Sequence, residues 1–173
     1  MILGLDVWAG SLDIDEKVLL ENDVKYIVTR INSITGGLNL DVNFKNQWDQ
    51  SYQFLRAPYF VYSPWYDGEA NAEWLFDHLP DTGVTRVFID IEVKRDGYLP
   101  TTYADQVNKF VGLISEKYSP CIYTGAWFLS YLAYWPKDVP YWWARYPYYL
   151  YPSVDTYITW AAFRTRLNYV GWS

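Results

Sequence analysis

Six short runs of β-branched and aromatic residues alternate along this chain with segments whose apolar positions recur every three or four residues. The runs cover residues 2–8, 24–31, 56–62, 86–93, 121–124 and 140–146. Helical patterns lie between them. Asp13 or Asp15 caps one over 14–21, with Val18 and Leu19 facing inward. Asp41 caps another through Phe44, Trp48, Tyr52 and Leu55, and a third carries Ala72, Leu75, Phe76 and Leu79. Tyr103, Val107, Phe110, Val111, Ile114 and Tyr118 make the most regular stripe, and a short helix follows Gly125 through Leu132. Strand and helix in alternation predict a parallel sheet with helical crossovers. A complete α/β barrel takes about 250 residues. With 173 residues, six strands and no clean strand over 147–173, this chain predicts a TIM-like (β/α) barrel incomplete at its C-terminus. No repeat, linker or composition break divides residues 1–173, so one domain is expected.

Carboxylates stand at the carboxyl ends of two of these strands. Along 86–93, side chains alternate between faces, so Phe88, Asp90 and Glu92 share one and Val87, Ile89, Ile91 and Val93 the other. The Cα atoms of Asp90 and Glu92 then lie roughly 6.6 Å apart, at about 3.3 Å per residue. Two buried like charges at that spacing are costly unless hydrogen-bonded, protonated or facing a wet cleft. Two readings are open: Glu92 lies past the strand end and pairs with a Lys or Arg, or the pair holds a general acid beside a stabilising partner. Asp6 ends the first strand in the same way. Active sites of α/β barrels form at the carboxyl ends of the strands, where Tyr62, Tyr123 and the Trp142–Trp143 pair are also expected. Three carboxylates ringed by aromatics suit acid-catalysed cleavage of a glycosidic bond, with flat rings as platforms for the sugars.

Composition narrows the partners. Aromatic residues make up 21% of the chain, with 10 Trp and 18 Tyr, more than a core needs and suited to stacking sugars or unstacked bases. Charge separates those two. With a net charge of -6 and no basic run, the chain is not built to follow a phosphate backbone, so no nucleic-acid partner is expected. The only cysteine, Cys121, permits neither an intrachain disulfide nor a cysteine metal cluster. The only histidine, His78, falls at a helix end, where it serves as a charge partner rather than a catalyst. No metal site, nucleotide motif, signal peptide or membrane span is visible.

Several motifs run in order along the chain: Gly4-Leu5-Asp6-Val7-Trp8 with Gly10 and Asp13; Thr35-Gly36-Gly37 with Asp41, Phe44 and Asn46; and Tyr59-Phe60 with Ala70, Ala72, Trp74 and Leu79. Ile89-Asp90-Ile91-Glu92, Tyr123-Thr124-Gly125 with Phe128, and Trp142-Trp143-Ala144-Arg145-Tyr146 complete the series. In this order they resemble the family 25 glycoside hydrolases, the Chalaropsis-type lysozymes that cleave peptidoglycan. The resemblance implies hydrolysis of the β-1,4 bond between N-acetylmuramic acid and N-acetylglucosamine. It places Glu92 as general acid, kept neutral by neighbouring negative charge, and Asp90 as the partner that orients the substrate's acetamido group. Asp6 takes the first-strand site carboxylate, and Tyr59, Tyr62, Tyr123 and Trp143 are expected to touch substrate. No metal or organic cofactor is implied. The partner is the glycan strand of bacterial peptidoglycan, with no membrane partner, and the protein is expected to act as a monomer. It would work outside the cell on the wall, released by lysis as a phage endolysin is, or exported by a non-classical or upstream-encoded route. Two features depart from the family: Phe60 and Val61 stand where its third strand carries a histidine, and residues 147–173 lack its late W-Q-Y and V-D-x-N segments. That second departure leaves a catalytically weak or inactive sugar-binding protein on the same fold as the alternative. A chitinase fits poorly, because Phe88 stands where the further aspartate of D-x-D-x-E belongs.

Overall fold

The computed structural model describes residues 3–11, 13–33, 37–80 and 83–144. Thr35, Gly36, Arg145 and Tyr146, and the whole of 147–173 on which the expectation of a missing C-terminal wall rests, lie outside the described residues. In chain order the elements are β1 (Leu3–Val7), α1 (Glu16–Glu21), β2 (Val24–Arg30), β3 (Asn32–Ser33), β4 (Asn39–Leu40), α2 (Phe44–Gln50), β5 (Leu55–Val61) and α3 (Gly68–His78). Then come β6 (Arg86–Asp90), α4 (Pro100–Ser115), β7 (Ser119–Gly125), a 3-10 turn (Ala126–Tyr131) and β8 (Tyr141–Ala144).

Six strands form one sheet in the order β1-β2-β5-β6-β7-β8, and every pairing is parallel. Each new strand is added on the same side as the last, with none of the order reversal that marks a doubly wound sheet. The progression is that of a barrel wall, and the described residues make a half-barrel rather than a closed one. A small antiparallel hairpin, β3 with β4, follows β2 and has no counterpart in the sequence-based expectation.

The pairing register sorts the side chains. Residues paired across parallel strands share a face, so Phe60, Val87, Ile89 and Ile122 point to the helix side. There they pack with Leu75 of α3 and with Val107, Phe110 and Ile114 of α4 in the main core. The stripe on α4 is buried as its spacing predicts, and Pro100 opens that helix where a missing N–H costs nothing. Asp67 caps α3, its side chain accepting from Ala70 N–H at 2.8 Å. The same helix meets α4 at Gly68, whose N–H donates to Gln106 Oε1 at 2.8 Å. A Cβ at this position would lie 2.3 Å from the Gln106 carbonyl oxygen, so the two helices can approach only over a glycine. On the other face, Val28, Ala57, Phe88 and Cys121 form a thinner layer with Tyr26, Tyr59 and Trp142 against it.

Several expectations need correction. Val18 is exposed, and only Leu19 of that pair packs inward, because α1 is a single short stretch covering the edge strand. Tyr52 and Leu55 are exposed, since α2 ends at Gln50 and Leu55 already belongs to β5. Asp41 does not cap α2. The N-cap is Asn43, without a side-chain cap bond, and Asp41 turns inward toward a buried arginine. His78 stacks on Trp74 at 3.9 Å between ring centroids, and its Nδ1 lies 2.7 Å from the Trp74 carbonyl oxygen, which gives it a packing role at the end of α3.

Candidate active site

The thinner face of the sheet ends in a row of polar and aromatic side chains. Reading across the register, Asp6 pairs with Val28, Arg30 with Tyr59, Val61 with Asp90, Asp90 with Tyr123, and Tyr123 with Trp142. Asp6, Arg30, Tyr59, Asp90, Tyr123 and Trp142 therefore project from one face, at or near the carboxyl ends of successive strands. Parallel strands create this arrangement. All their carboxyl ends lie at one edge, so residues far apart in sequence meet there.

Strand β6 ends at Asp90, short of the expected residue 93, and Glu92 stands just beyond it. The backbone stays extended for one more residue, because Ile91 N–H donates to the Tyr123 carbonyl at 3.0 Å and Thr124 Oγ1 donates to the Ile91 carbonyl at 2.8 Å. Glu92 is half-buried, and it makes no ion pair among the described residues. The Lys or Arg partner of the bland reading is thus not seen there. Instead, Asp90 Oδ1 and Glu92 Oε1 are both buried with no hydrogen-bond partner among the described residues. Orphaned carboxylate oxygens are rare in a finished core and common where substrate groups complete the set.

Electrostatics single out Asp90. Burial is the largest influence and lifts its carboxyl to about 8; Glu92 and Asp6 push the same way, and Arg30 opposes them. Burial raises Glu92 as well. Both members of the pair therefore hold their protons above the ordinary carboxylate range, with burial as the main cause for each. Burial also keeps the Tyr59 phenol protonated well above its ordinary range; Asp6 and Asp90 add to this against Arg30, which ties Tyr59 to the acid group.

Arg30 is the residue that sequence reasoning missed. Its Nε donates to Asp41 Oδ2 at 2.7 Å, and a second guanidinium nitrogen lies 2.7 Å from the same oxygen. Its side chain is 12% exposed and that of Asp41 is fully buried. Asp41 also accepts from Ala9 N–H at 3.1 Å and Asn43 N–H at 3.0 Å, joining the loop after β1 to the start of α2. The guanidinium lies 4.6 Å from the centroid of the Trp8 ring. An arginine on the same face as the strand-end acids was a legible signal, because a cation there must find an anion.

Two expected substrate contacts are not brought to this face. Tyr62 falls on the helix side, fully buried, stacked on Tyr103 at 5.8 Å and edge-on to Phe110 at 5.4 Å. Its hydroxyl has no partner among the described residues. Tyr62→Phe is therefore expected to leave sugar hydrolysis unchanged and to raise stability by up to about 1 kcal/mol, since deleting an unsatisfied buried hydroxyl removes its desolvation cost. Thermal melts of the two proteins check this. Trp143 also faces away, stacked on Tyr141 at 5.8 Å beside Trp135. Its neighbour Trp142 is the residue on the acid face, edge-on to Tyr123 at 5.3 Å and to Phe88 at 5.5 Å. A two-residue period fixes which of two adjacent tryptophans faces the site, and a one-residue error in phase reverses the answer. Among the described residues no group of three His, Cys, Asp or Glu side chains is arranged to hold a metal ion.

Comparison with known proteins agrees with this fold. Residues 6–164 match the sequence model of the glycosyl hydrolases family 25. A search of curated proteins finds no match to the chain. Among solved structures, a family 25 glycosyl hydrolase from Bacillus anthracis superposes with a TM-score of 0.72 at 18% identity, over 83% of this chain and 70% of that one. A muramidase from Acremonium alcalophilum gives 0.71 at 20% identity, over 84% and 78%. The CTP1L endolysin gives 0.68 at 17% identity, covering 84% of this chain and 53% of its own.

Proposed function

The chain belongs to glycosyl hydrolases family 25, and from that premise we propose that it is a peptidoglycan hydrolase cutting the β-1,4 bond between N-acetylmuramic acid and N-acetylglucosamine. The observation that carries this reading is the carboxyl pair at the end of β6, with one buried oxygen on each member unpartnered among the described residues and both groups raised. An ordinary surface aspartate and glutamate would be ionised at neutral pH, with no proton to give.

Glu92 is the proton donor in this proposal. It stands past the strand end on a side chain one methylene longer than that of Asp90, so it reaches farther toward the leaving oxygen of a substrate laid on the strand ends. As its proton passes to that oxygen, the glycosidic C–O bond breaks and positive charge develops at the anomeric carbon. Asp90 holds its own proton until about pH 8 and hydrogen-bonds the substrate's 2-acetamido group, orienting its carbonyl oxygen toward that carbon. Because the two groups interact, they titrate as a pair rather than singly. Asp6 adds negative charge from β1, and Tyr59 and Tyr123 border the same space. Trp142 replaces Trp143 as the aromatic contact from β8.

The binding-only alternative rests on residues 147–173, outside the described residues. The proposed site of action is the cell wall, approached by a monomer released by lysis, as for the endolysin it resembles, or through an export route. No described helix is long and apolar enough to cross a membrane. Incubation with purified peptidoglycan, followed by mass analysis of the released fragments, tests the bond assignment. Reducing ends on N-acetylmuramic acid are expected; ends on N-acetylglucosamine alone, or none, would overturn it.

Burial of the Asp90 carboxyl, reinforced by the charge of Glu92, has a thermodynamic signature. The Asp90 carboxyl moves from an ordinary 3.8 to about 8 on folding. Between those values the unfolded chain has released the proton and the folded one still holds it. The contribution to stability is therefore complete below about pH 3.8, declines as pH rises, and is gone above about pH 8. Melting temperatures of the native protein should fall across that window, and Asp90→Asn should flatten the fall. An unaltered slope in the variant would show that Asp90 is not the group responsible.

A further inference from the structure

We propose that Trp8 and Trp127 are two sugar platforms flanking the acid pair, so that the cleft holds a glycan several residues long laid across the strand ends. The proposal deepens the peptidoglycan reading and rests on it. Most large aromatics in the sheet and helices are buried or half-buried, yet these two rings are 45% and 51% exposed. Each follows the carboxyl end of a strand, Trp8 after β1 and Trp127 after β7.

Both rings lie over the acid face. The Arg30 guanidinium projects from that face and packs 4.6 Å from the Trp8 ring centroid, which places the indole above β1 and β2. Gly125 follows Tyr123 by two residues on β7, so its missing side chain would point to the same face. A Cβ there would lie 2.3 Å from the Trp127 ring, so the indole occupies that space. The same device recurs at Trp8, where a Cβ on Gly10 would also lie 2.3 Å from the ring. Each indole is therefore folded onto a glycine two residues away, fixed by backbone contact rather than by core packing. A large exposed ring whose position is already set presents a flat apolar surface at little entropic cost, as stacking on a sugar requires.

The strand order gives the two platforms different ranges. β7 neighbours β6, so Trp127 is one strand spacing from the acids, about 5 Å along the sheet. β1 is three spacings away, about 14 Å along the sheet. Trp127 thus meets a sugar next to the bond that breaks, and Trp8 meets one farther along the strand.

Size-fractionated peptidoglycan glycan tetrasaccharides and octasaccharides distinguish the two roles. Binding is read by calorimetry on Glu92→Gln protein, and kcat/KM on the protein with Glu92 intact. Trp127→Ala should weaken both lengths about 5- to 10-fold, leaving their ratio unchanged. Trp8→Ala should lower the octasaccharide-to-tetrasaccharide affinity ratio about 5- to 10-fold. Trp8→Tyr and Trp127→Tyr keep a stacking ring and should recover most of the loss, whereas the leucine variants should not. Unchanged affinities in both alanine variants, or equal loss at the two lengths for Trp8→Ala, would overturn the proposal. A wild-type protein that neither binds nor cleaves either oligosaccharide would instead remove the peptidoglycan reading itself.

Discussion

Glu92→Gln is expected to lower the rate of peptidoglycan hydrolysis about 10²- to 10⁴-fold while leaving the melting temperature near that of the native protein. Glutamine keeps the size and most of the hydrogen-bonding capacity of a protonated glutamate but has no proton to donate to the leaving oxygen. The residue stands beyond the last ladder position of β6 and makes no ion pair among the described residues, so little folding energy depends on its charge. Initial rates of reducing-end release, taken across pH, measure the loss. Equal rates in both proteins would remove Glu92 from the role of proton donor. A large loss accompanied by a lowered melting temperature would indicate a structural role instead.

Asp41→Ala is expected to produce the largest loss of stability. It leaves the Arg30 guanidinium, 12% exposed, without its carboxylate, and it takes the acceptor from Ala9 and Asn43 N–H groups as well. Breaking a buried pair from one side costs about 3–5 kcal/mol, because the remaining charge is stranded. For a domain of this size that lowers the melting temperature by roughly 10 °C. Lys45→Ala is the matched control: its pair with Asp49 lies on an exposed helix face, and no measurable change is expected. Asp41→Asn keeps acceptor capacity without the charge and should fall between. A melting temperature for Asp41→Ala equal to that of the native protein would show that the buried pair contributes nothing net.

What could be read from the sequence followed the strength of local periodicity. The α4 stripe from Tyr103 to Ile114 and the β-branched run of β2 carry clear patterns and appear as expected, whereas β6 begins where expected and ends three residues early, at Asp90. Asp6 and Asp90 were legible because a carboxylate in an apolar run stands out, and parallel strands bring their carboxyl ends to one edge. Other features depended on long-range geometry. Asp41 looks like a cap by position, yet a buried arginine eleven residues earlier takes it inward. Tyr62 and Trp143 lie off the acid face through phase alone, since each sits one step from a residue on it, Val61 and Trp142. In a strand buried on both sides, apolar residues do not announce which face they belong to. The rise of Asp90 to about 8 depended on how deeply its carboxyl is buried, and that follows from where β6 ends.

The strand order β1-β2-β5-β6-β7-β8 also bears on how the molecule is made. Every long strand pairs with the one before it through a single crossover, so each pairing uses only chain already synthesised. Loop-closure costs stay modest and similar from step to step, because no strand waits for a distant partner. The sheet can therefore grow in the direction of translation, with each helix covering the strand just laid down. On that route Asp6 and Asp90 come to share one face of the sheet once β6 docks, before α4 is complete. The acid face is then laid out early in assembly, and the later packing of α4 and β7 must hold it in place.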